Sequence, residues 1–382
     1  MLDKKIGVLG GGQLGKMLCQ AAAPMGIRLH ILDSSDEVAG MVCPQFHEGS
    51  FRSYDDVIEF GRQMDIITVE IEDVNTKALH ILEEEGKIVR PSASSLEIIN
   101  DKGLQRSFFK NAGIPGSSFQ LIDSKADLHN SLDDKILSFP FVLKLRKGGY
   151  DGRGVFIIKK ENDLDALPDT RYLIEEQVDI LKEISILVAR NPQGDISLYS
   201  PVDMVFDHKA NLVDYLVFPF EMEKNLLEKA NNIATQCAEA LEICGMLAIE
   251  LFITSSGEVL VNEVAPRPHN SGHQTIESCV TSQYEQHLRG ILGLSLGSTK
   301  VNKPAVMINL LGAPGYEGKP IVQGLEKILN TEGAHLHLYG KKQTRPFRKM
   351  GHITVTADTT EEALEKAMVL KKEVKIIGEN LL

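Results

Sequence analysis

Short apolar runs and helix-period patterns alternate from the start of the chain. "KIGVLG" leads into a helix predicted from Gln13 to about Met25, and "RLHILD" and "DIITVE" flank another near Tyr54 to Met64. Apolar runs of strand length between amphipathic helices are the signature of βαβ units, so a parallel sheet covered by helices is expected here. From Phe141 the texture changes. "FVLKLR", "GVFIIKK", "RYLIEEQV", "EISILVAR" and "SLYSPVDMVF" follow one another too closely for crossover helices, which predicts antiparallel pairing. A long amphipathic helix, roughly Glu223 to Ile243, leads into "GMLAIELFI" and "GEVLVNEVAP", joined by a Ser-Ser-Gly turn and therefore side by side. Beyond about Ser295 a smaller module of short strands, "AVMINLLG", "AHLHLYG" and "HITVTA", closes with the helix "TTEEALEKAMVLKKEV". Thr359 and Glu362 open that helix as a capping box. Without repeats or low-complexity linkers, the modules are expected to pack tightly.

At 382 residues the chain is long enough for two or three domains. Fifty-three acidic against forty-one basic residues leave a formal charge of −12, which argues against a nucleic-acid or anionic-membrane partner. Any phosphate must then be met by a local basic cluster. The five cysteines are scattered without a CxxC pair and read as reduced thiols of a cytoplasmic protein. A signal segment and a membrane-length apolar run are both missing from the sequence, so secretion and membrane insertion are not expected.

Several stretches carry candidate chemistry, each with a plainer alternative. In "GVLGGGQLGKML", Gly10, Gly12 and Gly15 fit the GxGxxG turn of a dinucleotide site, and Asp33 stands about twenty residues on, where a ribose-binding acid would sit. That pattern alone is weak evidence for an NAD-dependent dehydrogenase. "KLRKGGYDGRGV" is either an exposed hairpin or a loop whose backbone N–H groups and basic side chains fold over phosphates; the Walker pattern is absent. Glu250 and Glu263 lie on neighbouring strands beside Asn262. Singly each would be a solvated edge residue, but together they offer oxygen ligands for Mg²⁺. "APRPHNSGH" crowds Arg267, His269, Asn270, Ser271 and His273 into seven positions. Two histidines four apart can mark a metal pair, yet Asn-Ser-Gly between them makes a poor helix interior. Last, "YGKKQTRPFRKMGH" sets Lys341, Lys342, Arg345, Arg348 and Lys349 within nine positions, either a solvated turn or a phosphomonoester site.

Taken together and in this order, "GGGQLG", "KGGYDGRG", a strand glutamate, "NEVAPRPHNSGH" and "RKMGH" resemble the 5-(carboxyamino)imidazole ribonucleotide synthase family of ATP-grasp ligases in purine biosynthesis. The resemblance runs from residue 6 to about 355. It implies a combined α/β and α+β architecture: an N-terminal Rossmann-like (pre-ATP-grasp) domain over 1–105, an ATP-grasp domain over 106–295 with a lid subdomain at about 115–178, and a small β-rich C-terminal domain over 296–382. It also implies ATP, Mg²⁺ (or Mn²⁺), bicarbonate and 5-aminoimidazole ribonucleotide as ligands, a carboxyphosphate intermediate, and a homodimer.

Residue roles follow from the same resemblance. Arg106 and Lys144 would contact the ATP phosphates, Glu175, Glu176, Gln177 and Val178 the adenine edge, Glu183 the ribose, and Asn262 the nucleotide. Glu250 and Glu263 would hold the metal. Arg267, His269 and Asn270 would surround bicarbonate or carboxyphosphate. Tyr150, Asp151 and Arg153 would meet the aminoimidazole, with Asp151 orienting or deprotonating the amine. Gln13, Leu14 and Glu72 would touch the ribonucleotide, and Lys341, Arg345 and Arg348 its 5′-phosphate. Leu145, Gln274 and Phe347 depart from the family pattern, which has a smaller residue, an aromatic and a glycine there; Asp207 and His208 receive no ATP role. An ATP-grasp ligase acting on a related ribonucleotide, the dehydrogenase, and a non-catalytic nucleotide sensor are the competing readings.

Overall fold

The computed structural model describes residues 3–148, 154–165, 167–207 and 212–381. The first module runs β1 (Ile6–Leu9), α1 (Gln13–Ala22), β2 (Leu29–Asp33), β3 (Gln45–Glu48), α2 (Tyr54–Arg62), β4 (Ile66–Val69), α3 (Thr76–Glu84) and β5 (Ile88–Val89). Its strands form a parallel sheet in the order β3-β2-β1-β4-β5. The β1–α1 turn needs glycine. Gly10 has φ +104°, and a Cβ on Gly12 would lie 2.6 Å from Glu70 Oε1. Helix α1 stops short of Met25 because Pro24 opens a separate 3₁₀ turn that ends on left-handed Gly26.

Helices α4 (Ala93–Asn100) and α5 (Lys102–Asn111) lead onward, their first turns capped by Ser92 and Asp101. A four-stranded antiparallel sheet follows: β6 (Phe119–Ile122), α6 (Lys125–Asp133), β7 (Phe141–Leu145), β8 (Val155–Ile158) and β9 (Tyr172–Glu176), in the order β6-β9-β7-β8. The next segment holds β10 (Ile180–Arg190), β11 (Ile196–Leu198), β12 (Val202–Asp207), β13 (Leu212–Phe218), α7 (Lys224–Ala240), β14 (Gly245–Thr254), β15 (Val259–Ala265), α8 (Thr275–Ser278) and α9 (Gln283–Leu292). The chain closes with β16 (Ala305–Leu311), β17 (Tyr316–Gln323), α10 (Leu325–Leu329), β18 (Ala334–Leu338), β19 (Lys349–Thr356), α11 (Thr360–Glu373) and β20 (Lys375–Leu381). Thr359 caps α11 by accepting from the Glu362 N–H, while the Glu362 carboxylate pairs with Lys366 at 2.8 Å instead of completing a box.

The last two segments share one sheet. Its order is β15-β14-β10-β12-β13-β16-β19-β18, with β11 on the end of β10; β13 and β16 pair antiparallel from Tyr215/Ile308 to Phe218/Ala305. So the ladder crosses residue 295 without a break. Helix α7 covers one face, packing Ala230, Ala234, Cys237 and Leu241 on Ile184, Ile186, Leu247 and Ile249. Helix α9 joins this sheet to the parallel one: Leu288 and Ile291 share a core with Met17 and Leu18. Its His287 accepts from the Met246 N–H at 3.1 Å and contacts the Thr68 hydroxyl at 2.9 Å. Full burial depresses the pKa of His287 to about 3, which keeps the ring neutral in this bridge. All five cysteines are unpaired, and among the described residues no helix is long and apolar enough to cross a membrane.

Candidate active site

The antiparallel register of β14 and β15 sets Glu250 directly opposite Glu263, with a shift in register just beyond the pair. On the other side of β14, β10 contributes Glu183, opposite Phe252 and two residues from Ser185, which faces Glu250. Burial first, then the neighbouring Glu263 and Glu183 charges, push the Glu250 carboxyl well above its usual range. Glu183 is pushed up to about 7, again chiefly by desolvation. Glu263 goes the other way, because the Lys102 ammonium sits on its Oε2. Ionised together, the three crowded carboxylates would outweigh the Lys102 charge, which is the donor set a hard divalent cation fits. Among the described residues, no three His, Cys, Asp or Glu side chains close a metal sphere by themselves. The protein would supply two carboxylates, with phosphate oxygens and water completing the shell.

Beside this pair, Lys144 at the end of β7 reaches Asn262 Oδ1 at 3.1 Å and Glu175 Oε2 at 2.6 Å. Arg106 is buried, donating through Nε to Glu175 and through Nη1 to the Val261 carbonyl, while its Nη2 has no hydrogen-bond partner among the described residues. The Glu175 carboxylate is equally buried between Arg106 and Lys144, and these two cations hold its carboxyl below the usual range against the cost of burial. Glu176 and Gln177 are exposed and Val178 half-buried where the chain passes from the four-stranded to the long sheet. Lys102 is the residue the sequence reading missed. Its signal was available: it is the first residue of a helix capped by Asp101, one turn before Arg106, and so on the same face.

The "PRPHNSGH" segment leaves the end of β15 and is clamped by Gln283 of α9, which accepts from the His269 N–H and donates to the His269 carbonyl, both at 2.8 Å. Ser271 donates its N–H to His269 Nδ1 at 3.3 Å, leaving the ring proton on Nε2, 3.7 Å from Glu250 Oε1. Arg267 pairs with Glu72 at 2.8 Å, which ties this segment to the parallel sheet and engages Glu72 with a protein partner. Asn270 keeps a buried Oδ1 without a hydrogen-bond partner among the described residues. His273 is turned away from His269. It is fully buried, accepts from Tyr284 Oη at 2.9 Å and packs 4.6 Å from the His352 ring, so the pair at i, i+4 is not a metal site. Gln274 fills its interior position by donating to the Ser271 carbonyl at 2.9 Å.

At the glycine turn, Gly11 donates to Asp33 at 2.6 Å, and Gly12 and Gly15 donate to the two oxygens of Glu70 at 3.0 and 2.7 Å. Asp33 is therefore engaged with the turn itself, which removes the acid an NAD ribose would need. Leu14 is buried in the core and can offer a ligand only its backbone, whereas Gln13 is half-exposed. The basic turn lies across from it. Lys16 of α1 donates to the Leu338 and Tyr339 carbonyls at 2.9 and 3.2 Å, bringing the end of β18 against α1. Lys341 lies over the Tyr339 ring and donates to the Lys349 carbonyl at 2.7 Å; burial lowers its pKa to about 8. Arg348 Nη2 stands 3.8 Å from Glu37 Oε2, and the Lys342 N–H donates to Glu37 Oε1. Arg345 is exposed, and its side chain joins none of these contacts. Phe347, at the glycine position of the pattern, has φ +64°.

Tyr150, Asp151, Arg153 and His208 lie outside the described residues. The sequence matches the ribonucleotide synthetase preATP-grasp domain over residues 3–100, the ATP-grasp domain over 107–284, and the phosphoribosylaminoimidazole carboxylase C-terminal domain over 305–366. It is 35% identical over 367 residues to N5-carboxyaminoimidazole ribonucleotide synthase of Bacillus subtilis, covering 94% of this chain and 93% of that one. It is 40% identical to the chloroplastic phosphoribosylaminoimidazole carboxylase of Vigna aconitifolia, and spans 64% of that longer protein. The crystal structure of N5-carboxyaminoimidazole ribonucleotide synthetase from Thermotoga maritima superposes with a TM-score of 0.90 at 44% identity over 98% of this chain and 100% of that one. The Aspergillus clavatus synthase in complex with ADP and 5-aminoimidazole ribonucleotide gives 0.88 at 30% identity over 97% and 99%. Matched over all three domains, and 35% identical to the Bacillus subtilis synthase over 93% of that protein, the chain belongs to the N5-carboxyaminoimidazole ribonucleotide synthase family of ATP-grasp proteins.

Proposed function

We infer that the protein is an ADP-forming ligase that uses ATP and bicarbonate to carboxylate the exocyclic amine of 5-aminoimidazole ribonucleotide. The observation that carries this reading is the opposed Glu250–Glu263 pair, with Lys102 and Lys144 on one side and His269 on the other. Arg106 and Lys144, joined by Lys102, would meet the nucleotide phosphates, Glu183 the ribose, and the segment from Glu175 to Val178 adenine. Mg²⁺ held by Glu250 and Glu263 would neutralise charge on the β- and γ-phosphates.

A bicarbonate oxygen attacks the γ-phosphorus, ADP leaves, and the resulting carboxyphosphate delivers its carboxyl group to the amine with release of phosphate and the amine proton. Arg267, the Nε2–H of His269 and the Asn270 amide would supply the fixed donors that the developing oxyanion needs. Lys341, Arg345 and Arg348 would hold the 5′-phosphate, and Tyr150, Asp151 and Arg153 would complete the amine side. The division at 1–105, 106–295 and 296–382, a homodimeric state and a cytoplasmic location belong to the same reading. A coupled assay with each substrate omitted in turn tests it: ADP should form only when bicarbonate and aminoimidazole ribonucleotide are both present. ADP formation with another amine, or with formate in place of bicarbonate, would assign the site to a different ligase.

A further inference from the structure

The basic turn already holds an anion. Glu37 lies between β2 and the next short turn of the N-terminal module, 305 residues before its partner Lys342. Its carboxylate crosses to the C-terminal module, taking the Lys342 N–H on one oxygen and standing 3.8 Å from the Arg348 guanidinium with the other. The Glu37 and Arg348 side chains are 23% and 28% exposed, neither locked in the core nor freely solvated. A carboxylate and a phosphate ask for the same donors in the same geometry, and two anions cannot share them.

We propose that Glu37 is a displaceable internal anion, which occupies the donors of the basic turn until the 5′-phosphate of the ribonucleotide ejects it, and so tunes affinity and selectivity at that subsite. The proposal rests on the placement of the 5′-phosphate at Lys341 and Arg348. Displacement is within reach because a half-exposed ion pair contributes about 1 kcal/mol or less. A phosphomonoester brings nearly twice the charge and three acceptor oxygens to the same donors. Departure of Glu37 also leaves the module junction standing. Lys16 still holds the Leu338 and Tyr339 carbonyls, and Met41 still packs against Gly340, where a Cβ would come within 2.3 Å of its sulfur. An unphosphorylated nucleoside has nothing with which to eject Glu37, so the occupied turn selects for the phosphate monoester.

Glu37→Gln and Glu37→Ala in the full-length enzyme separate competition from support. Competition predicts that the KM for aminoimidazole ribonucleotide falls about threefold to tenfold in both variants, the KM for ATP serving as internal reference. Inorganic phosphate, used as a simple probe, should inhibit at correspondingly lower concentration. A ribonucleotide KM that is unchanged or raised in both, while Arg348→Ala raises it, overturns the competitor and makes Glu37 a brace of the turn. A KM that Arg348→Ala leaves unchanged overturns instead the placement of the phosphate, and the competitor with it.

Discussion

Two turns in this molecule carry the sequence marks of an anion site, and they are filled differently. The glycine turn before α1 has its N–H groups at Gly11, Gly12 and Gly15 taken by Asp33, the last residue of β2, and Glu70, the residue just past β4. Burial raises the Glu70 pKa, while the two N–H groups pull it back down. The basic turn at 341–349 is met at Lys342 and Arg348 by the Glu37 carboxylate, reaching from another module. In the first the carboxylates are part of the turn; in the second the anion is a visitor. A helix N-terminus is a ready anion site only where the protein has not supplied the anion itself.

The comparison can be broken at four points. The largest effect is expected from Glu70→Ala, which strands two N–H groups and should lower unfolding free energy by about 2–4 kcal/mol in urea titration. Glu37→Ala should cost about 1 kcal/mol or less; equal costs would erase the distinction. Next, Arg348→Ala should remove a charge-assisted contact of about 1.5–3 kcal/mol. Steady-state kinetics would read this as a loss of roughly ten- to a hundredfold in kcat/KM for the ribonucleotide. A smaller gain follows from Phe347→Gly. A bulky residue at φ +64° is strained. Relief, less the extra unfolded-state entropy of glycine, should raise stability by about 1 kcal/mol, and a lowered Tm would show that the exposed ring packs usefully.

The smallest effect is on pH dependence. Burial depresses the Lys341 pKa to about 8, so its ammonium is present below that pH and lost above it. The KM for ribonucleotide should therefore climb a fewfold between about pH 7 and 9, and Lys341→Arg should flatten the rise. A rise that persists in Lys341→Arg would mean that another group titrates.

Legibility followed the range of the interactions. The βαβ alternation gave the parallel sheet, because burial on both faces writes itself into consecutive residues. The Ser-Ser-Gly turn made β14 and β15 neighbours, and from there the Glu250–Glu263 pair could be read with no knowledge of the fold. Lys102 was missed because basic residues in a helix's first turn are common, and only the docking of α5 against β15 brings it to Glu263. Arg106 and Glu175 were named, but not as partners of each other. Their types suited a phosphate and an adenine, yet 69 residues of separation hid that they pair with each other.

What the chain determines by itself is local: which segments are strands or helices, where glycine is needed, and which clusters are too polar for packing to explain. Tertiary structure alone decided that the long sheet continues through β13 and β16 into the C-terminal module. It also decided that the glycine turn is answered by Glu70 and the basic turn by Glu37. The physical reason is that a hydrogen-bond donor does not specify its acceptor. Residue type fixes the charge and the reach, but which carboxylate arrives is set by how the modules pack, and that contact lies 55 to 58 residues away in one turn and 305 in the other.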